Sequence, residues 1–276
     1  MQDKSMPQKH AGQPNETRKS VLAIAAHPDD IEFVMAGTLM QLVARGWQAH
    51  YFNIANGCCG SMTMEPAECA RTRLGEAQDA AAALPATFYA PLCNDMEIFY
   101  TTPLLAGVAS VIRRAAPSII LTHSLEDYME DHQNAARLAV SGAFVRGVPN
   151  YKCEPVGECY FEDVAIYHAQ PHGNRGPMGG VIRPGLCVDV TDYAMRKKQL
   201  LEKHRSQASW LDESQGMDSY VATMEELNAE VGTMSGTFSL AEGWRQHLHI
   251  GYSRPGFDPL AEALSESCVR LDQSRN

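Results

Sequence analysis

In VLAIAAHPDD, residues 21–30, an apolar run passes directly into a histidine, a proline and two carboxylates. The apolar run predicts a short buried strand. Proline and aspartate favour turns and helix starts, so Asp30 could simply cap a helix that begins near Ile31. A histidine beside two carboxylates also suits a metal site, which would need a third ligand from elsewhere in the chain.

Strand-like and helix-like segments alternate after this stretch. The predicted strands of the first half are 21–26, 49–55, 86–92 and 118–123, and its predicted helices are 31–45, 66–84 and 102–115. Such alternation is typical of βαβ units, so we predict an α/β fold, a three-layer α/β/α Rossmann-like arrangement with a mainly parallel sheet. The second half is less regular, with extended segments at 164–170 and 186–192 and helices at 131–145, 193–205 and 217–230. We predict one domain over residues 20–276 and a flexible polar tail over residues 1–19.

The predicted sheet brings two histidines together. His27 directly follows the first strand and His123 ends the strand 118–123. Ligands of open α/β sheets bind beyond the carboxyl ends of the strands, so both side chains are expected at one crevice. His132 opens the helix that follows and can supply a third ligand. A hydrolytic zinc site takes three protein ligands and keeps one position open, so His27, Asp30 and His132 form a candidate zinc site.

The motifs also carry a family resemblance. They are AHPDD (26–30), Gly37-Thr38, and Asp131-His132 after a strand that ends in Thr-His; weaker matches are Arg73 with Glu76-Ala77, His204 to Gln207, and Ala241 to Arg245. Together they resemble the GlcNAc-PI de-N-acetylase family, the PIG-L or LmbE-like zinc deacetylases. The resemblance implies a Rossmann-like fold, the metal ligands His27, Asp30 and His132, and Asp29 as the general base.

Other residues are assigned roles around this centre. Asp131 is expected to orient a neighbouring group by hydrogen bonding, and we count it with Asp29 and His123 among the catalytic residues. Three roles are possible for His123: a hydrogen-bonded histidine at the end of its strand, a partner that orients a metal ligand, or a hydrogen-bond donor to the transition state. Arg73 either pairs with Glu68 or Glu76 on its own helix or contacts substrate. Gln207 is a further candidate for substrate binding, although a structural or peripheral place is the favoured alternative for it and for His204.

Met129 departs from the family pattern. Many relatives read His-Pro-Asp-His where this chain reads MEDH, residues 129–132. The missing histidine is the one proposed in such relatives to stabilise the oxyanion or protonate the leaving amine, which methionine cannot do. Replacements could come from Glu130, His123, His247 or His249, but YHAQPHGNRG (167–176) is the preferred source, so His168 and His172 are predicted at the substrate.

Composition narrows the class of protein. The formal net charge of −10 argues against nucleic acid as a main partner. No run of about 18 apolar residues and no apolar leader occurs in the sequence, so we predict no membrane span and a cytoplasmic location. The eight cysteines include no CxxC pair, and we expect most of them to be reduced and buried.

These observations predict a zinc-dependent hydrolase that removes an acetyl or related acyl group from a small polar N-acyl amine, first of all an N-acetylglucosamine conjugate. One alternative is an amidase for a sugar-thiol conjugate or an N-acyl amino compound. Another is a catalytically impaired metal-binding protein. Imidazole and carboxylate ligands also accept other divalent metals. A homo-oligomer is an open expectation, since members of the family often form oligomers.

Overall fold

An eight-stranded mixed sheet forms the centre of the structure, a computed structural model that describes residues 19–207 and 220–272. The strands are β1 (Ser20–Ala25), β2 (Gln48–Asn53), β3 (Thr87–Tyr89), β4 (Ile119–Thr122), β5 (Ala165–Ala169), β6 (Leu186–Asp189), β7 (Ala241–Gln246) and β8 (Cys268–Arg270). They lie in the order β3-β2-β1-β4-β5-β7-β6-β8. Strands β1 to β5 pair in parallel, whereas β7 runs antiparallel to β5 and β6, and β8 antiparallel to β6.

The helices are α1 (Asp30–Val34), α2 (Ala36–Ala44), α3 (Pro66–Ala83), α4 (Thr102–Ala115), α5 (Glu130–Phe144), α6 (Ala194–Leu201), α7 (Tyr220–Ser235) and α8 (Pro259–Ala263). The single helix predicted over 31–45 is wrong, because Met35 leaves the helical region at φ −132° and separates α1 from α2. The break frees the first N–H groups of α2. Those of Gly37 and Thr38 donate to the buried Glu242 carboxylate at 2.8 Å each, an anion at a helix N-terminus.

Strand β1 explains the three layers. Its residues are fully or almost fully buried, and alternate side chains point to opposite faces of the sheet. Val21, Ala23 and Ala25 pack with residues of α1, α2 and α3, while Leu22 and Ile24 pack with α4 and α5. Each buried Val, Leu or Ile contributes about 1.5–3 kcal/mol. The predicted α/β class with flanking helices is therefore confirmed.

The strand order reverses between β1 and β4, since β2 and β3 lie on one side of this pair and β5 on the other. Such a switch point opens a crevice at the carboxyl ends of the strands. His27 and His123 follow β1 and β4 there, as predicted. Within the described ranges, no helix is long and apolar enough to cross a membrane. The predicted tail lies, apart from Lys19, outside the described residues.

Candidate metal centre and catalytic pocket

A tight turn at residues 27–30 sets up the site. Asp30 is the first residue of α1, and its Oδ2 accepts a hydrogen bond from the backbone N–H of His27 at 2.7 Å. Asp29, rather than Asp30, occupies the N-cap position, and its side chain makes no capping bond. Its φ of 100° is left-handed backbone, which aspartate tolerates better than most residues. The turn therefore fulfils both interpretations of the sequence, a helix start and a cluster of functional side chains.

His27, Asp30 and His132 converge as predicted. One ligand atom from each lies within 4.8 Å of the other two. His27 Nδ1 is 3.5 Å from Asp30 Oδ2, and His132 Nε2 is 3.5 Å from Asp30 Oδ1. Two nitrogens and one oxygen are the donor set of an open catalytic zinc site, so these residues fit a divalent metal.

The second nitrogen of each histidine is held by a carboxylate. His27 Nε2 lies 2.9 Å from Asp131 Oδ2, and His132 Nδ1 lies 3.0 Å from Asp127 Oδ1. Asp131 also accepts from the Met96 N–H at 2.7 Å, which fixes its orientation. Carboxylates in this position fix the tautomer and ring angle of metal-binding histidines. The contacts leave His27 Nδ1 and His132 Nε2 free to face an ion.

The electrostatics of the cluster favour a cation. Burial disfavours the charged form of Asp30, but His132 and His123 outweigh it and hold the pKa of that carboxyl well below its usual range. Burial also acts against charged His27, yet hydrogen bonds to Asp131 and Asp30 raise the pKa of His27 to about 10. Three buried or half-buried carboxylates, Asp30, Asp127 and Asp131, thus surround two imidazoles and stabilise positive charge between them.

His123 lies beside the ligands, with its Nε2 committed to other contacts. This nitrogen accepts the Ala26 N–H at 3.0 Å and stands 3.2 Å from Asp30 Oδ2. Its ring stacks on His132 with centroids 4.2 Å apart and planes at 8°. Burial, followed by the neighbouring His132, lowers the pKa of His123. The hydrogen bond from Ala26 ties the end of β4 to the end of β1.

Asp29 lies next to the cluster in a separate environment. Its Oδ2 accepts a 2.6 Å hydrogen bond from the Tyr220 hydroxyl and lies 3.5 Å from Arg73 Nη2. Burial raises the pKa of Asp29 to about 6, although the Arg73 guanidinium opposes the shift. Arg73 pairs with neither Glu68 nor Glu76; it donates instead to the carbonyl oxygens of Pro28 at 2.5 Å and Gly57 at 3.3 Å. A carboxyl with a pKa near neutrality is suited to general acid–base chemistry.

A cavity of about 290 Å³ opens over these groups. Aromatic rings form a continuous wall from Tyr220 to Phe33, His172 and Tyr128, with neighbouring centroids 5.3–5.6 Å apart. Arg73 is the only Lys or Arg among the described lining residues. The lining consists of His27, Asp29, Asp30, Phe33, Val34, Cys59, Gly60, Arg73, Asp95, Met96, His123, Asp127, Tyr128, Met129, His132, Gln170, His172, Gln207 and Tyr220.

Among the predicted substrate residues, the structure brings Arg73, His172 and Gln207 to the cavity and leaves His168 outside it. His168 lines a second cavity of about 520 Å³, where its Nε2 lies 3.0 Å from His247 Nδ1 and its Nδ1 lies 2.8 Å from the His123 carbonyl oxygen. Gln207 Oε1 is buried and has no hydrogen-bond partner among the described residues. His204 is fully buried beside Glu32, 3.2 Å away, and does not line the catalytic cavity.

Sequence reasoning missed Asp127 and Tyr220. Asp127 sits in the irregular loop after β4, where an isolated acid carries no spacing signal. Tyr220 begins α7, almost two hundred residues after the Asp29 that it contacts. Only the folded chain brings these groups together.

The structure is an α/β fold with a candidate metal site of two histidines and one aspartate at the switch point of its sheet. Residues 22–143 match the family model described as PIG-L, GlcNAc-PI de-N-acetylase. This region contains all three candidate metal ligands and Asp29. The match confirms the predicted resemblance to that family.

Relatives of known activity fall into two groups. The diacetylchitobiose deacetylase of Thermococcus kodakarensis is 27% identical over 197 residues, 68% of this chain and 70% of the relative. The 4-oxalmesaconate hydratase of Pseudomonas putida is 28% identical over 191 residues, 66% of this chain and 72% of the relative. The relatives are thus a deacetylase and a hydratase.

Solved structures share the fold. The N,N'-diacetylchitobiose deacetylase from Pyrococcus horikoshii superposes with a TM-score of 0.71 at 22% identity, covering 88% of each chain. The 4-carboxy-2-hydroxymuconate hydratase from Pseudomonas putida KT2440 gives 0.70 at 21% identity, covering 87% of this chain and 98% of that one.

Proposed function

We propose that the protein is a metal-dependent N-deacetylase that hydrolyses the amide of a small, uncharged N-acetylated amine of the amino-sugar type. The observation that carries the proposal is the His27, Asp30 and His132 cluster at the wall of a cavity that also holds the buried carboxylate of Asp29. A purely structural metal site is closed and needs no adjacent base. The family match and the deacetylase relatives support the same activity.

His27, Asp30 and His132 would hold the metal, with zinc as the proposed ion. When bound, the ion supplies Lewis acidity toward the amide carbonyl and lowers the pKa of water. Asp29 takes the proton of the attacking water and can return it to the leaving amine. The Tyr220 hydroxyl and Arg73 hold its carboxylate in place. Asp131 and Asp127 keep the two imidazoles aimed at the ion.

His172 is our proposed replacement for the histidine absent at Met129. Both residues line the cavity, and the His172 ring lies 5.6 Å from that of Tyr128, centroid to centroid. Burial lowers the pKa of His172, so at neutral pH the imidazole is neutral and can donate one N–H to a developing oxyanion. His168, placed behind the His123 carbonyl, is better suited to a positioning role.

The cavity favours deacetylation over hydration. The hydratase relatives are named for muconate and mesaconate substrates, which carry several carboxylates. Binding such anions calls for unpaired cationic side chains, but Arg73, the only described candidate, faces Asp29. Residues 208–219 contain no Lys or Arg in the sequence. The aromatic wall suits the apolar face of a neutral sugar, and Gln207 Oε1, which has no hydrogen-bond partner among the described residues, suits its hydroxyls.

A substrate panel tests this function. The zinc-loaded protein is incubated with N-acetylglucosamine, diacetylchitobiose, N-acetyl amino acids and a conjugated dienoic tricarboxylate, and released acetate and hydrated product are measured by mass spectrometry. We expect acetate release from the uncharged sugars and no hydration. Hydration of the tricarboxylate without acetate release would overturn the proposal. Zinc as the resident ion, a homo-oligomer and a cytoplasmic location remain predictions.

A further inference from the structure

Two adjacent thiols and a buried carboxylate form a second cluster beside the catalytic cavity. Cys58 Sγ and Cys59 Sγ lie 3.8 Å apart, and together with an Asp95 oxygen they form a group whose ligand atoms lie within 4.8 Å of one another. Cys59 is exposed and Cys58 half-buried, whereas Asp95 is only 8% exposed. The expectation that most cysteines are buried is wrong, because only Cys69, Cys153 and Cys187 are buried. Both sulfurs of the Cys58–Cys59 pair are within reach of a solute.

The spacing of the sulfurs matches a shared metal ion. Two sulfurs that each lie about 2.3 Å from a tetrahedral zinc ion are about 3.8 Å apart. A disulfide would require an S–S distance of about 2.05 Å. The cluster therefore has the geometry for metal binding without the displacement that an S–S bond between neighbouring residues would need.

Backbone hydrogen bonds hold Asp95 in position to act as the third ligand. Its Oδ1 accepts the Gly57 N–H at 2.6 Å and its Oδ2 accepts the Cys59 N–H at 2.9 Å, so the carboxylate is anchored to the loop that carries both thiols. Each carboxylate oxygen has a second lone pair available. Gly57 has a φ of +79°, a left-handed conformation that glycine adopts without strain and that turns the loop over Asp95.

Metal binding at this cluster depends on pH. The thiolate is the metal-binding form of cysteine. A thiophilic cation therefore displaces the thiol protons as it binds, and its affinity rises with pH.

The loop is physically linked to the catalytic base. Cys59 and Asp95 line the same cavity as Asp29. The Gly57 carbonyl accepts hydrogen bonds from Cys69 Sγ at 3.2 Å and from Arg73 Nη1 at 3.3 Å, and Arg73 in turn faces Asp29. A shift of this loop would therefore move Arg73, which contacts the Asp29 carboxylate.

We propose that Cys58, Cys59 and Asp95 form a second metal site, for a thiophilic divalent cation such as Zn²⁺ or Cd²⁺, distinct from the His27, Asp30 and His132 centre. On binding, the two thiols release two protons, two metal–sulfur bonds form, and water completes the coordination. The occupied site narrows the cavity and pulls on the Arg73 contact, so excess metal inhibits turnover.

Cadmium titration of the full chain, first loaded with one equivalent of zinc, tests the binding. We expect one further cadmium per chain and an ultraviolet sulfur-to-cadmium charge-transfer band, with protons released. The Cys58→Ser/Cys59→Ser variant should lose the band and the extra equivalent, and Cys59→Ser alone should weaken binding by at least about tenfold. Cys159→Ser, at another half-exposed thiol, is the matched control and should behave as wild type. A double variant that keeps the band and the extra equivalent would overturn the proposal.

The inhibition is measured separately and rests on the proposed function. Zinc added beyond one equivalent should lower the turnover of wild type and of Cys159→Ser but not that of Cys58→Ser/Cys59→Ser. Equal inhibition of all three proteins would contradict the idea that metal bound at Cys58 and Cys59 inhibits turnover through Arg73. If wild type releases no acetate from any compound while the cadmium band still forms, the proposed activity fails and the metal site stands.

Discussion

Asp131 and Asp127 each hold one metal-facing histidine, and replacing either carboxylate should loosen the metal. We expect Asp131→Asn and Asp127→Asn to lower zinc affinity by about 10–100-fold, because each imidazole loses the partner that fixes its tautomer. Competition with a chelator of known affinity measures the change. Glu130→Gln, next to Asp131 but exposed, is the matched control. Unchanged affinity in both Asp variants would mean that these carboxylates do not orient the ligands.

Variants of His172 and His168 distinguish between the two candidate replacements for the histidine that is absent at Met129. We expect His172→Ala to lower kcat by about 10²–10³-fold with little change in metal content, because an oxyanion donor acts mainly in the transition state. His168→Asn should change kcat far less, since His168 lies outside the cavity. Steady-state kinetics on the best sugar of the panel decide the matter. A normal kcat for His172→Ala would assign the donor elsewhere.

The convergence of the three candidate metal ligands was predictable from sequence, whereas the carboxylates and hydroxyl that contact the site were not. His27, Asp30 and His132 stand at strand ends or helix starts, where periodicity and spacing carry information. Asp127 and Tyr220 are single polar residues whose partners are set by tertiary contact. Arg73 shows the same limit, because its nearest acids in sequence, Glu68 and Glu76, are not the groups it contacts.

A buried ion pair joins three elements at the back of the site. Lys197 of α6 is fully buried, with Nζ 2.7 Å from Glu242 Oε1 of β7, whose carboxylate also receives the first N–H groups of α2. Lys197→Met leaves that carboxylate buried without its cation and should cost about 3–5 kcal/mol of the free energy of unfolding. Lys198→Met, at the half-buried neighbour, should stay within about 0.5 kcal/mol. Urea unfolding of both variants tests this, and equal midpoints would contradict it.

His168 links β5 to the segment after β7 and should make stability depend on pH. Burial lowers the pKa of His168 to about 4, below the ordinary value of 6.5. The unfolded chain therefore binds this proton first as pH falls, so stability is complete above pH 6.5 and is lost progressively between pH 6.5 and 4. The loss reaches about 3 kcal/mol. His168→Asn should lose less stability over this window in urea unfolding, and an identical loss would show that His168 does not titrate this way.

Across the whole molecule, the parallel first half of the sheet was predictable, and so were most helices and strands up to α7, but strands β7 and β8 and the antiparallel pairing were not. The alternation from 21 to 123 fixes a parallel sheet because each strand needs a helical crossover to return beside its neighbour. Strand β7 is inserted antiparallel between β5 and β6, although it follows both in sequence. Its Trp244 is fully buried, with its indole N–H donating to Thr38 of α2 at 3.0 Å. A contact between residues 206 positions apart, such as Trp244 and Thr38, produces no local sequence pattern from which it could be predicted.

In the proposed mechanism, one metal ion held by His27, Asp30 and His132 works together with Asp29 to hydrolyse an N-acetyl amide. The most direct measurement is metal content and acetate release, determined in parallel on wild type, His132→Ala and Asp29→Asn with the best uncharged sugar substrate. We predict one zinc and turnover for wild type, loss of both for His132→Ala, and full zinc with a rate lowered about 10²–10⁴-fold for Asp29→Asn. Full turnover by metal-loaded Asp29→Asn, or by His132→Ala without metal, would contradict the account.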